Sequence, residues 1–236
     1  MTAVSREGKA PIAVALDARD LDTAARWADA VERHVSFVKV GLELFCRHGP
    51  DVITVVRGGR HVGLFLDLKL HDIPATVAGA ARSVARLKPA FVTVHAAGGP
   101  AMIRAAVEAA PDVAIAGVTI LTSLSDDDLE RIGMSGPSET AVRRLASMCV
   151  ESGARALVCS PREVAAVRSE VGPDVVLITP GVRPVGSATD DQARFATPQQ
   201  ALADGADLLV IGRPITGAAD PGAAAMSIAA SLGAPV

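Results

Sequence analysis

The chain has 236 residues, half of them apolar and only 3% aromatic, with no Tyr and a formal net charge of −3. That length bounds one large domain or two small ones, with ample apolar side chain for a core. The small charge comes in no block of one sign, which speaks against nucleic acid or an anionic membrane surface as a partner. No apolar stretch approaches the roughly 18 residues needed to span a bilayer.

Residues 1–10 are polar and charged, without the apolar centre of an export signal, and are expected to form a flexible tail. Beyond them short β-branched runs alternate with Ala/Leu-rich stretches: Ile12–Leu16, Phe37–Val40, Val62–Leu68, Phe91–Val94, Val113–Leu121, Ala156–Cys159, Val175–Ile178 and Leu208–Ile211. Helix-like segments lie between them. Asp20-Leu21-Asp22 opens one before Ala24–Val31, and Pro74 opens another before Ala75–Leu87. Pro161 starts one before Glu163–Val171, and Pro198 one before Gln199–Ala203. Eight units of about 30 residues match the size of a βα repeat. The fold expected is a single-domain TIM (β/α)8 barrel over residues 11–236. An open doubly wound sheet has fewer strands and a glycine-rich first turn, whereas Leu16–Asp20 holds no glycine.

Cys46, Cys149 and Cys159 have no metal-type spacing and read as free thiols of a cytoplasmic protein. His34, His48 and His61 lie in helix-like or connecting segments and are expected to be solvated.

A polar residue stands at every strand end. Asp17 ends the first, Lys39 sits late in the second, and Asp67 and Lys69 end the third, followed by Asp72. His95 ends the fourth, Thr122 and Ser123 the fifth, Ser160 the sixth, Thr179–Arg183 the seventh and Gly212-Arg213 the eighth. In this barrel the C-terminal strand ends converge on one mouth, where active sites lie. Strand residues two apart share a face, so Asp67 and Lys69 are expected to point the same way. An inward Lys39 requires a partner, and Asp67 on the neighbouring strand supplies one. The order Lys39, Asp67, Lys69, Asp72 alternates in sign, which keeps all four groups ionised. Two ammoniums would compete with a cation for the same carboxylates, so no metal is expected.

The segments after strands seven and eight, where barrels commonly hold phosphate, read Thr179-Pro180-Gly181-Val182-Arg183-Pro184 and Ile211-Gly212-Arg213-Pro214. Gly181 and Gly212 allow close backbone approach, and Arg213 supplies charge. The long polar stretch from Pro184 to Thr197 reads as a lid, with Gln192 as a polar contact.

Ala15-Leu16-Asp17, Val38–Gly41, Phe65–Pro74, Val118–Ser123, Thr179–Pro184 and Val210–Pro214 together resemble the orotidine 5′-phosphate decarboxylase family over essentially the whole chain. The Asp-x-Lys-x-x-Asp core is shared with related sugar-phosphate enzymes on this barrel, but its continuation Ile73-Pro74 and the Pro-Gly-Val-Arg-Pro run narrow the match. The resemblance implies decarboxylation of orotidine 5′-monophosphate to UMP, the last step of de novo UMP synthesis, without any cofactor. Lys69 would donate the proton, with Lys39, Asp67 and Asp72 as the other catalytic residues. Asp17 and Lys39 would contact the ribose side, and Thr122 and Ser123 the pyrimidine. Ile73 and Arg183 belong to the substrate-binding set, and Gln192, Gly212 and Arg213 would hold the phosphate. A homodimer is implied too, with Asp72 and Thr76 reaching the neighbouring subunit's site. Asp67 would either repel the substrate carboxylate or hold Lys69 in place, and the residues leave both roles open. Two other readings of the chain are a metal-dependent sugar-phosphate lyase or isomerase and a non-catalytic nucleotide-binding protein.

Overall fold

Each β-branched run singled out in the sequence contributes a strand. The computed structural model describes residues 4, 8–134, 136–184 and 196–234. Among them eight parallel strands close into one barrel in chain order. They are β1 Ala10–Ala15, β2 Val35–Gly41, β3 Gly63–Leu70, β4 Phe91–His95, β5 Ala114–Val118, β6 Ala156–Val158, β7 Val176–Thr179 and β8 Leu208–Ile211. Closure comes from β1, which pairs with β2 (Ala15 opposite Lys39) and with β8 (Val14 opposite Ile211).

Alternation divides each strand between two apolar layers. Inward residues form a compact plug of Ala13, Phe37, Phe65, Phe91, Ala114 and Ala156 with their neighbours. Large side chains come from β2, β3 and β4 and small ones from β1, β5 and β6, so the narrow interior fills without crowding. Phe91 meets Phe37 and Phe65 edge-on at centroid separations of 5.4 and 5.9 Å, the arrangement that aromatic quadrupoles favour. Gly63 makes room for this, since a Cβ there would lie 2.3 Å from the Phe37 ring. Outward residues such as Val14, Val38 and Leu66 pack beneath the helices.

The helices start where the sequence punctuates them. Asp20 caps Leu21–Val31 by accepting the Thr23 N–H at 2.7 Å, an interaction that stabilises a helix by about 0.5–2 kcal/mol. Pro74 occupies the first turn of Pro74–Ala85, and Pro198 that of Pro198–Ala203.

The structure corrects several boundaries. Ala10 is fully buried in β1, and the Lys9 ammonium donates to the Glu32 and His61 carbonyls at 2.5 Å. Lys9 and Ala10 therefore belong to the barrel and not to a tail. β5 stops at Val118, three residues before the expected end, because the Thr119 hydroxyl caps the Val158 carbonyl at 3.0 Å and the chain turns away. The helix after Pro161 begins only at Val164, since Glu163 turns its carboxylate back to accept the Ser160 N–H. His61 is exposed, but His34 and His48 are half-buried.

Candidate active site

Strand register builds the charged centre. Lys39 lies two residues beyond the inward Phe37 and so faces the interior, where it is 7% exposed. Gly41 at the end of β2 stands opposite Asp67 of β3. The Lys39 Nζ is consequently 3.3 Å from Asp17 Oδ1 and 3.6 Å from Asp67 Oδ2. The Lys69 Nζ lies 2.8 Å from both oxygens of Asp67. The result is a chain of alternating charge, Asp17–Lys39–Asp67–Lys69, inside the rim.

Two sequence expectations need correction here. Simple alternation does not aim Lys69 at Asp67. Leu66 pairs with Val92 and Leu70 with Val94, so four residues of β3 advance against two of β4. The slack is a bulge in which Lys69 takes a positive φ of 47°, a left-handed conformation that costs a non-glycine residue about 1–3 kcal/mol. Bulges of this kind re-aim side chains next to functional sites. Nor does Asp72 close the charge chain within one molecule. It is exposed beyond the bulge, its Oδ1 accepts the Ile73 N–H at 2.6 Å, and among the described residues it makes no ion pair. Asp17 takes the fourth place.

Electrostatics at Asp67 are a contest. Burial pushes its carboxyl up, but the Lys39 charge, the Lys69 charge and the hydrogen bonds from Lys69 and Thr93 outweigh burial, so it stays below the ordinary carboxylate range. His95 moves the other way for an imidazole. Burial, then the neighbouring His71 and Lys69, hold it below its usual value, which leaves it neutral at pH 7.

Two cavities meet at this centre. A polar one of about 260 Å³ is lined by Asp17, Lys39 and Asp67 on one side and by Gly181, Arg183, Gly212 and Arg213 on the other. A smaller, mainly apolar one of about 140 Å³ is lined by Phe65, Lys69, Val118, Leu121, Thr122 and Cys159 among others. Asp67 borders both. The division suits a ligand with an anionic end and a flat, less polar end.

Thr122 thus lies at the apolar cavity, with Ser123 exposed beside it. Ile73 and Thr76 are exposed at the start of the helix Pro74–Ala85. Ser160 and Thr179 are fully buried and line neither cavity. Gln192 and residues 185–195 generally lie outside the described residues, but the flanks of that stretch meet: the Arg183 N–H donates to the Ala196 carbonyl at 3.0 Å. Burial raises the thiols of Cys149 and Cys159 to about 12, which leaves them inert. No group of three or more His, Cys, Asp or Glu among the described residues is arranged to hold a metal ion. The sequence reading passed over Thr93, whose hydroxyl touches both Asp67 and Lys69.

A closed βα barrel with paired lysines and carboxylates on one side of its mouth and two arginines on the other defines a class: enzymes acting on small phosphorylated substrates. The comparisons with known proteins narrow it. Residues 10–228 match the model of the orotidine 5′-phosphate decarboxylase / HUMPS family. An orotidine 5′-phosphate decarboxylase of Thermobifida fusca is 71% identical over 223 residues, which cover 94% of this chain and 96% of that one. One of Frankia casuarinae is 62% identical, covering 96% and 89%. The crystal structure of orotidine 5′-phosphate decarboxylase from Lactobacillus acidophilus superposes with a TM-score of 0.80 at 37% identity, covering 92% of this chain and 96% of that one. The chain belongs to the orotidine 5′-phosphate decarboxylase family.

Gly41 tests the geometry. A Cβ there would sit 2.8 Å from Lys39 Nζ and 3.0 Å from Asp17 Oδ1, so Gly41→Ala must displace the ammonium while sparing the backbone. Turnover is expected to fall at least about tenfold, with stability lowered by under about 1 kcal/mol. Steady-state kinetics and denaturant unfolding check both figures, and unchanged turnover would show that the Lys39 position does not matter.

Proposed function

We propose that the barrel mouth binds orotidine 5′-monophosphate with its phosphate toward Arg183 and Arg213 and its pyrimidine toward Thr122 and Ser123. Lys69 then protonates C6 as carbon dioxide leaves. The overall reaction, decarboxylation to UMP in pyrimidine biosynthesis, follows from membership of the family, which makes the chain a carbon–carbon lyase. The observation that supports these roles best is the place of Asp67, held by Lys69 where the polar and apolar cavities meet.

The chemistry reads from that arrangement. The bond from C6 to the carboxylate carbon breaks and its electron pair stays on C6, where no adjacent carbonyl delocalises it well. A fixed ammonium beside C6 opposes the developing charge and then delivers its proton there; Lys69 regains a proton from water. One unit charge about 4 Å from another contributes about 4 kcal/mol at an effective dielectric near 20. Enzymic accelerations start at roughly 8 kcal/mol, so binding energy from the phosphate end must contribute as well. Asp67 fixes Lys69 through two 2.8 Å hydrogen bonds, which favours positioning as its role. Gln192, by its place in the sequence, is included among the phosphate contacts, and Asp17 and Lys39 serve the ribose.

The proposal extends to a cytoplasmic homodimer in which Asp72 and Thr76 serve the site of the neighbouring subunit. Asp72 and Thr76 are exposed, as residues offered to a neighbouring subunit would be, and Ile73 beside them is 66% exposed. The free thiols of Cys46, Cys149 and Cys159 suit a reducing compartment.

Lys69→Ala is expected to lower kcat at least about a thousandfold while UMP affinity, read by calorimetry, stays within about tenfold; UMP formation near the wild-type rate would contradict the proton-donor role. Mixing inactive Lys69→Ala and Asp72→Ala chains tests the shared site. Random exchange makes half the dimers hybrids with one intact site each, so about a quarter of wild-type activity should return. No recovery after demonstrated exchange would refute the intersubunit role of Asp72.

A further inference from the structure

The Thr93 side chain is fully buried on β4. It lies two residues after the inward Phe91, hence on the inner face next to β3. Its single hydroxyl makes two contacts. It accepts the backbone N–H of Lys69 at 2.8 Å and donates to Asp67 Oδ1 at 3.0 Å. The first contact pins the one backbone group whose residue is held at φ 47°. The second fixes one oxygen of the carboxylate that binds the Lys69 ammonium.

We propose that Thr93 is a positioning residue for the reaction, a clip that ties the left-handed backbone of Lys69 to the Asp67 carboxylate and so aims the ammonium at C6. The bulge leaves the Lys69 N–H without its ordinary strand partner, because β3 and β4 fall out of step between Leu66 and Leu70. A buried donor left unpaired is costly, and the Thr93 oxygen is the acceptor that receives it. The same oxygen must point its own hydrogen elsewhere, and Asp67 Oδ1 takes it. A hydroxyl that both accepts and donates is required here; a methyl group of the same shape does neither. Without the clip Lys69 keeps its charge and its place in the chain, but both its backbone and its anchoring carboxylate gain freedom. An ammonium displaced by about 1 Å is enough to cost on the order of a hundredfold in rate.

This inference rests on Lys69 as the proton donor. The test compares Thr93→Val, which keeps the shape, with Thr93→Ser, which keeps the hydroxyl. Thr93→Val is expected to unfold cooperatively like wild type, to lose at least about tenfold in kcat, and to bind UMP within about threefold of wild type. Thr93→Ser should recover kcat to within about threefold. Val with wild-type kcat, failure of Ser to restore kcat, or loss of UMP affinity in step with kcat would each overturn the proposal. If Thr93→Val does not fold, Thr93→Ala replaces it, and the Ser variant should exceed Ala in kcat at least about tenfold; equal rates overturn the inference. So does a result in which Ser alone folds, for then the hydroxyl serves folding. Lys69→Ala assayed beside them separates the two claims. An active Lys69→Ala rejects the proton donor itself, whereas an inactive Lys69→Ala with a fully active Thr93→Val rejects only the clip.

Discussion

One carboxylate shared between two ammoniums governs this structure. Asp67 lies in a site where burial favours its neutral form, and it stays ionised because Lys39 and Lys69 both face it. Remove that negative charge and two ammoniums confront each other inside a low-dielectric rim, a costly arrangement. The barrel exists around this constraint in a literal sense. Parallel pairing of β2 with β3 places Gly41 against Asp67, and the missing Gly41 side chain leaves the space in which Lys39 reaches Asp17 and Asp67.

The site is regular below and irregular above. Beneath the charges, three interlocked phenylalanines fill the barrel and give the inward strand faces little freedom. Above them, β3 leaves regular geometry, and Lys69 takes a strained conformation against a Thr93 hydroxyl. Strain of this kind persists only where surrounding contacts over-determine it. Here the contacts that impose it also fix the Asp67 carboxylate that holds the Lys69 ammonium. A polar cavity then leads to two arginines and a less polar one to Thr122, a division of charged from flat surface on which the proposed binding mode rests.

Much of this was legible in the chain, for physical reasons. The eight runs formed strands because buried parallel strands need continuous β-branched residues. Lys39 stood out because an ammonium amid Phe37, Val38 and Val40 cannot be left unpaired. What escaped notice depended on departures from periodicity. Period-two alternation put Lys69 beside Asp67 for the wrong reason, since the bulge does that work; the alternation of sign along the sequence named Asp72 as the fourth charge, whereas within one molecule that place is taken by Asp17. Thr93 carried a signal of the same kind as Lys39, a polar side chain on the inward face between Phe91 and His95, but a lone threonine in a strand is so ordinary that only the geometry reveals its two bonds. The end of β5 was overrun because Val113–Leu121 is apolar but for Thr119, whose hydroxyl donates to the Val158 carbonyl just past the strand end.

The sharpest test is a carbon-13 NMR titration of the Asp67 side-chain carboxyl in the free protein. Burial alone would raise its midpoint above the ordinary 3.8; the paired ammoniums are expected to hold it below that value. The account therefore requires Asp67 to remain ionised as pH falls through 3.8, with the stability drawn from the charge cluster present above that pH and lost only below it. A midpoint above 3.8 would mean that burial wins, and that the lysines do not form the preorganised charge cluster on which the site is built.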